Sequence, residues 1–388
     1  MKNVFETLEL LKEQITPLKE SELIHLEEAL DRILACDLYA KKNLPSFDNA
    51  ALDGYAFNYA DIDEPLHIKG TILAGDKTPY ELGKNECYKI MTGALMPKNA
   101  DTILMLEDEN LENGKLVIKT KPKRFNAFRF KGEEQKMGEL LLKKGQKLNA
   151  SMLTLLAAQG IYKIKVVRKP RIAIFSSGNE LKEPWEECDE KSIYNANALG
   201  VSALLNGCDL SYLGIIKDEF DATKEALQNS NFDLIITSGG ASVGEADFMD
   251  KALKELKFEA VFDGIKARPA KPTKLYKKGE KFILILPGNP MAAFLSCFIF
   301  AKKILNLLGG NLEEESKISA FMGQDLRLKA GRNNFILGNL ERGIFTPFND
   351  NKFGSAMILP LVKSEFLFIS DENVAELKKG EGIYLIRL

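Results

Sequence analysis

The chain has 388 residues, 45% of them apolar, which is enough to bury sizeable cores, and the length predicts two to four domains at ~100–200 residues each. The 53 basic and 55 acidic residues leave a formal net charge of −2, so no global excess exists to track a polyanion; nucleic acid is a poor partner, and any anion site must be local. Five cysteines (Cys36, Cys87, Cys188, Cys208, Cys297), far apart and without C-x-x-C, predict free thiols in a reducing cytoplasm and no structural zinc, while two histidines, His25 and His67, leave little material for histidine-based catalysis.

In chain order, "MKNVFETLELLKEQITPL" spaces its apolar residues by three and four, predicting an amphipathic helix, and it lacks the compact apolar core and cleavage site of an export signal. "ESELIHLEEALDRILACDL" is read as a second helix, so residues 1–44 are expected to be helical. Residues 45–136 read as β-rich, with "PLHIKGTILAG", "CYKIMTG", "DTILMLED" and "KLVIKT" separated by Gly, Pro, Asn and Asp turns. Within 137–170, "NASMLTLLAAQG" predicts a helix and "KIKVVRKP" a strand; packing of that helix on the N-terminal pair would make 45–136 an insertion.

From Arg171 strands alternate with helices, the pattern of a doubly wound α/β sheet. The strands are "RIAIFSS", "LSYLGII", "FDLIITS" and "KFILILP"; the helices are "NANALGVSALLNG", "FDATKEALQNS", "ADFMDKALKEL" and "MAAFLSCFIFAKKILNLLG". The most apolar segment, "FILILPGNPMAAFLSCFIFA", is broken by Pro287, Gly288 and Pro290, which predicts a buried strand, a turn and a buried helix rather than a membrane span. After Gly310 the alternation stops, and "FILGNL", "SAMILPL", "EFLFIS" and "GIYLIRL" predict a C-terminal β domain. The expected fold class is therefore multidomain α/β: a helical N-terminal region (1–44 with 137–170), a β-rich inserted domain (45–136), a doubly wound sheet domain (171–310) and a C-terminal β domain (311–388).

In an open α/β sheet, ligands sit beyond the carboxyl ends of the strands. Four loops fall at such ends: "SSGNEL" (176–181), "KDEFD" (217–221), "SGGASVGEAD" (238–247) and "PGNP" (287–290). Gly239, Gly240 and Gly244 let backbone N–H groups turn toward an anion, and the helix that follows adds its positive end, so phosphate or another oxyanion is the expected tenant. Glu180, Asp218 and Asp247 bring carboxylates to the same rim, and carboxylates beside a phosphate predict a bridging Mg²⁺. Each motif also reads as fold punctuation. The glycines serve a tight turn, Asp247 and Asp218 are candidate helix caps, with Asp221 competing for the second cap, and "PGNP" is a helix start.

Taken in order and spacing, "PSFDNAALDGYAF" (45–57), "IMTGALMP" (90–97), "SSGNEL", "SGGASVGEADF" (238–248) and "LPGNPMAAF" (286–294) resemble the MoeA family of molybdopterin molybdenumtransferases, relatives of the gephyrin E domain, over residues 1–360. The resemblance implies four domains, the sheet domain being similar to molybdopterin adenylyltransferases. It implies insertion of molybdate into adenylylated molybdopterin with Mg²⁺-dependent release of AMP, in the cytoplasm and away from any membrane. Carried over by position, Glu180, Asp218 and Asp247 would hold the metal and act in catalysis with Asp53 of "LDGY". Ser238, Gly239, Gly240, Gly244, Pro287 and Asn289 of the rim would bind substrate. Thr92 of "MTGA", Arg129 of "FRFKGEEQ", Arg332 of "GRNNF" and Ser355 of "FGSAM" would join them, across the interface of a homodimer with a shared active site. A molybdopterin adenylyltransferase and molybdoenzyme chaperones are the protein partners the family suggests.

The sequence departs from the family at several positions. Gly264 and Ala270 in "GIKARPAKP" stand where the family usually has lysine and glycine, so Lys266, Arg268 or Lys271 would supply the oxyanion's counter-charge; Arg268 and Lys271 are the expected pair. Glu134, Phe130, Lys131 and Asn179 also depart from the common residues. Three readings stay beside the transferase: an adenylyltransferase acting on molybdopterin, a tungstate-inserting paralogue and a non-catalytic gephyrin-like scaffold.

Overall fold

The computed structural model describes residues 1–228, 231–239, 248–311 and 316–388. They pack into two compact units, Leu23–Lys144 with Leu148–Lys165, and Met1–Glu22 with Gly145–Lys147 and Val166–Leu388. The expected fold class, a multidomain α/β chain with β-rich domains, is what the structure shows.

The first unit is built on a six-stranded sheet in the order Thr102–Met105, Gly54–Phe57, Glu86–Ile90, Leu66–Ile72, Lys115–Leu116, Leu111–Glu112. Gly54–Phe57 is central, antiparallel to both neighbours and buried throughout, and the two-residue side-chain period splits its contacts between two cores. Ala56, Ile90 and Ile103 face one core; Tyr55, Phe57, Cys87 and Leu104 face the other. The helix Ala150–Ala158 is capped by the Asn149 side chain, as the sequence pattern predicts.

The expected second helix does not form. Within "ESELIHLEEALDRILACDL" the chain makes the strand Ser21–His25 and one short 3-10 turn, Leu26–Glu28. Its amides go to distant partners instead of to residues four back: Leu26 N–H to Tyr162 O, Asp31 N–H to Leu148 O and Ala35 N–H to Lys165 O. Asp31 takes a φ of 63°, which ends any right-handed run. Ile24, Ala29 and Leu34 are buried while Leu23 and Leu30 are exposed, a five-residue spacing that no helix face makes.

In the second unit the N-terminal helix Val4–Gln14 opens with a capping box, Asn3 against Glu6, and turns Val4, Thr7 and Leu11 inward. The sheet runs in the order Asp209–Ile216, Arg171–Ser177, Leu234–Ser238, Lys281–Leu286, Lys274–Lys278, Glu259–Asp263. The first four, the expected strands, are parallel to one another; the last two are antiparallel additions that the strand–helix alternation does not reveal. Alternate residues pack on opposite faces, Ile172, Ile174, Leu234, Ile236 and Leu284 on one, Ala173, Phe175, Ile235, Ile283 and Ile285 on the other. Covering the first face is the long helix from Pro290 to Gly309, with a π-helical turn at Cys297–Ala301. It is long and apolar enough to cross a membrane, yet most of it is buried in this core.

The C-terminal strands Asn333–Glu341, Ile344–Pro347, Ile318–Met322, Gly382–Arg387 and Phe366–Ile369 pair in that order and close on themselves into a barrel, which removes their free edges. Ala267–Arg268, from the sheet region, pairs in parallel with the start of Asn333–Glu341.

Candidate active site at the strand-end rim

The loops after the parallel strands are bonded to one another. After Arg171–Ser177, the Ser177 hydroxyl donates to Asp218 Oδ1 across 2.5 Å, and the Asp218 N–H meets Asn179 Oδ1 at 3.4 Å. The Ser176 hydroxyl donates to Asn195 Oδ1 at 2.8 Å; its one proton is then committed, so at 3.0 Å it accepts from Ser238. Ser238 is buried and supports the rim from beneath.

Gly239 has a φ of 95°, and a Cβ there would lie 2.2 Å from Ser177 O, so the chain at Gly239 backs directly onto the first loop and only glycine fits. Its N–H points to Leu286 O at 3.4 Å, at the foot of the last loop, and Asn197 Nδ2 donates to Gly288 O at 2.8 Å. Pro287 is buried at this strand end, and Asn289 is exposed beside it. The convergence of the loops is thus realised in the backbone. Asn195 and Asn197 were not among the expected rim residues; the doubled asparagine of "YNANAL", where a helix starts just after a strand end, is the signal that marks them.

A cavity of about 310 Å³ adjoins this rim, lined by Arg268, Arg332, Asn334, Asn351, Ser355 and Met291 among others. Two arginines line it and no carboxylate is among its described lining residues, a local excess of positive charge in a chain of near-zero net charge. Arg268 reaches it because Ala267–Arg268 is zipped to the barrel strand, Ala267 opposite Asn333 and Arg268 opposite Asn334. Arg332 is held at the turn before that strand, where Asn334 Nδ2 donates to the carbonyls of Lys329 and Arg332 at 3.2 and 3.1 Å. Ser355 arrives from the C-terminal domain: its hydroxyl accepts from Asn289 Nδ2 at 2.7 Å, and its carbonyl accepts from the amides of Met291 and Ala292 at 3.2 and 3.4 Å.

This corrects one expectation. Arg332 and Ser355 meet the rim loop and Arg268 within one chain, because the zipped strand carries the barrel to the sheet, so neither needs a partner chain to arrive there. Of the three cations weighed at 264–272, Arg268 lines the cavity; Lys271 is exposed on the same turn outside the lining, and Lys266 is 3.5 Å from Glu372.

Asp53, Thr92 and Arg129 lie in the other unit. The Asp53 Oδ1 accepts from both the amide and the hydroxyl of Thr92, each at 2.7 Å, and these bonds, the hydroxyl's first, hold its carboxyl below the usual range. The strand pairing Phe128–Arg129 with Asn49–Ala50 and the bond from Ala51 N–H to Ala127 O place the Arg129 and Asp53 segments side by side. Arg129 is engaged by Glu133 at 2.8 Å and Glu134 at 3.5 Å.

Gly240, Gly244 and Asp247 lie outside the described residues. Among the described residues no cluster of three acidic, histidine or cysteine side chains is formed. Glu180 is exposed, and Asp218 keeps Oδ2 clear of the bond that Ser177 makes to Oδ1. These are carboxylate oxygen donors on neighbouring loops, a donor chemistry that fits a hard divalent cation.

The fold and this rim define a multidomain α/β protein with an arginine-lined cavity between its sheet loops and its barrel. Comparison with known proteins gives the family. Residues 2–160 match the MoeA N-terminal region (domain I and II), and residues 173–306 match a probable molybdopterin binding domain. The chain is 32% identical over 384 residues to the molybdopterin molybdenumtransferase of Haemophilus influenzae, covering 96% of this chain and 95% of that one. It is 32% identical over 338 residues to the enzyme of that name from a Nostoc species, covering 83% and 78%. A crystal structure of the molybdopterin biosynthesis MoeA protein from Pyrococcus horikoshii superposes with a TM-score of 0.86 at 27% identity over the whole of both chains. The chain belongs to the MoeA family of molybdopterin molybdenumtransferases.

Proposed function

We propose that this chain inserts molybdate into adenylylated molybdopterin, releasing AMP, in the cytoplasm. The observation that carries the reading is the cavity of Arg268, Arg332 and Ser355 beside the sheet rim. A tetrahedral dianion leaving water needs fixed positive charge and donors to offset its desolvation; two guanidiniums supply the charge and the Ser355 hydroxyl an oriented donor. The loops that follow the strands ending at Ser177, Ser238 and Leu286 would hold the pterin phosphate and the adenylate through backbone N–H groups.

Glu180 and Asp218, with Asp247, would hold Mg²⁺, which when bound polarises the phosphoanhydride. The protein's own part is to fix Asp218 through Ser177, keep the oxyanion next to the anhydride and leave AMP a route out. Asp53, held ionised by Thr92, and Arg129 enter this reading through the family likeness, with a second chain supplying them to a shared cleft. Partner proteins that adenylylate molybdopterin or receive the cofactor would follow from the same chemistry.

The test is purified protein with adenylylated molybdopterin, Mg²⁺ and either molybdate or tungstate, followed for AMP. Oxyanion-dependent AMP release supports the transferase and ranks the two oxyanions. ATP consumption with unadenylylated molybdopterin would mean an adenylyltransferase, and neither activity would leave the scaffold.

A further inference from the structure

We propose that the buried hydroxyl pair Thr273–Ser296 is a positioning device for the turn that carries Arg268 and Lys271, and so sets the affinity of the cavity for its oxyanion; this rests on the transferase reading above.

Thr273 and Ser296 are both 0% exposed, as are Ile265, Ala267, Ala270 and Leu275 of the same stretch of chain. A hydroxyl in such a place is unfavourable unless its bonds are made, and valine would fill the volume of Thr273 without that requirement. The bonds are made in one direction. Thr273 Oγ1 donates to Ala270 O at 2.8 Å, which commits its proton, so the Ser296 hydroxyl, 2.8 Å away, is the donor to Thr273. A relay therefore runs from the helix Pro290–Ser296, through Thr273, to the carbonyl two residues beyond Arg268.

That carbonyl closes the turn. Ala270 O also accepts the Thr273 amide at 3.2 Å, Lys271 N–H closes on Pro269 O, and Ile265 N–H donates to Lys271 O at 3.0 Å. The turn's other end is zipped to the barrel at Arg268. The helix that supplies Ser296 begins at Asn289, whose side chain holds Ser355, so one helix references both sides of the cavity. Losing the relay frees the Ala270–Lys271 side of the turn and leaves Arg268 tied by its barrel pairing alone, while Arg332 stays where Asn334 holds it.

The experiment is equilibrium binding of molybdate alone to the purified full chain and to Thr273→Val, Ser296→Ala and Thr273→Ser, with half-saturation for both substrates in the AMP-release assay. Thr273→Val leaves Ala270 O short of a donor and the Ser296 proton without an acceptor, so molybdate affinity should fall about tenfold. Ser296→Ala keeps the bond to Ala270 and should cost about threefold, and Thr273→Ser should restore wild-type affinity. Half-saturation for adenylylated molybdopterin should not move, which separates positioning from a general loss of fold. Wild-type molybdate affinity in both Thr273→Val and Ser296→Ala, or equal loss for both substrates with no rescue by Thr273→Ser, overturns the inference. If Thr273→Val does not fold, unchanged molybdate affinity in Ser296→Ala overturns it alone. A wild-type protein that binds no oxyanion overturns the transferase reading together with it.

Discussion

Asn289 Nδ2 lies 2.7 Å from Ser355 Oγ, so the loop after the last parallel strand and the C-terminal domain meet inside a single chain. Arg268 and Arg332 line the same cavity from the sheet region and from the barrel. A cavity assembled in this way belongs to each chain separately.

A subunit-mixing experiment tests that assembly. Arg268→Gln and Arg332→Gln chains, each impaired, should regain no activity when mixed and re-annealed, because each cavity takes both arginines from its own chain. By contrast Asp247→Ala mixed with Asp53→Ala should recover roughly a quarter of wild-type activity if clefts are shared and act independently. Recovery in the first mixture would place the two arginines on different chains; verified exchange without recovery in the second would defeat the shared cleft.

Gly239→Ala should destabilise the protein well beyond an ordinary turn substitution. Its Cβ would sit 2.2 Å from Ser177 O at a φ of 95°, whereas Gly207 has a φ of 97° with nothing within 4 Å. Gly207→Ala should therefore cost only the left-handed penalty of about 1–2 kcal/mol, and Gly239→Ala distinctly more because backbone must move. Urea denaturation of the two variants measures the difference, and equal costs would mean that the two loops are not in contact.

Thr92→Val should raise the Asp53 pKa toward the ordinary carboxylate range, since the hydroxyl is the largest cause of its depression and the amide bond alone remains. For a depressed carboxyl, the contribution of these bonds is fully present above the unfolded pKa and is lost as pH falls through the folded value. The acid limb of the activity profile should accordingly move to higher pH if ionised Asp53 acts in turnover. Carboxyl-carbon NMR of Asp53 reads the pKa directly, and an unmoved resonance profile counts against the Thr92 bond.

Arg168 and Asp233 form a two-point ion pair at 2.7 and 2.9 Å, and Asp233 also accepts the Arg171 amide at 2.8 Å. Burial disfavours the ionised carboxyl, yet Arg168 and the Arg171 amide outweigh it and hold Asp233 below the usual range. Its stabilisation is thus present above an unfolded pKa of about 3.9 and lost as pH falls through the lower folded value. Asp233→Ala should leave Arg168 without its main partner and cost about 3 kcal/mol near neutral pH, shrinking in strong acid. Stability curves for the wild type and Asp233→Ala that run parallel between pH 5 and 2 would refute the assignment.

The strand–helix rhythm from Arg171 onward was legible because a doubly wound sheet writes its connectivity into the chain: apolar runs of strand length, each followed by a turn and an amphipathic helix. The rim followed from the same rhythm, since parallel strands must deliver their loops to one edge, and Gly239 declared itself by residue type. The fate of residues 21–38 was not legible. Their apolar spacing suits a helix locally, and it was overruled by amide bonds to Tyr162, Leu148 and Lys165, more than a hundred residues away in sequence.

What the sequence by itself determined is the part governed by short-range physics: the capped helices at Val4 and Ala150, the four parallel strands, the glycines that let backbone approach backbone, and the order of motifs that marks the family. What only the tertiary structure decided is which distant cations share a cavity. Arg268 and Arg332 are separated by the whole of the Pro290–Gly309 helix, and nothing local predicts that Ala267–Arg268 will leave the sheet and zip onto a barrel strand. That pairing is a long-range choice: the strand's donors and acceptors had to be satisfied somewhere, and Asn333–Asn334, just before the residues that Asn333–Glu341 pairs within the barrel, offered the partner. With it the cavity of Arg268 and Arg332 closes in one chain, Lys271 is left outside the lining, and the Thr273–Ser296 pair meets the turn of Ala270.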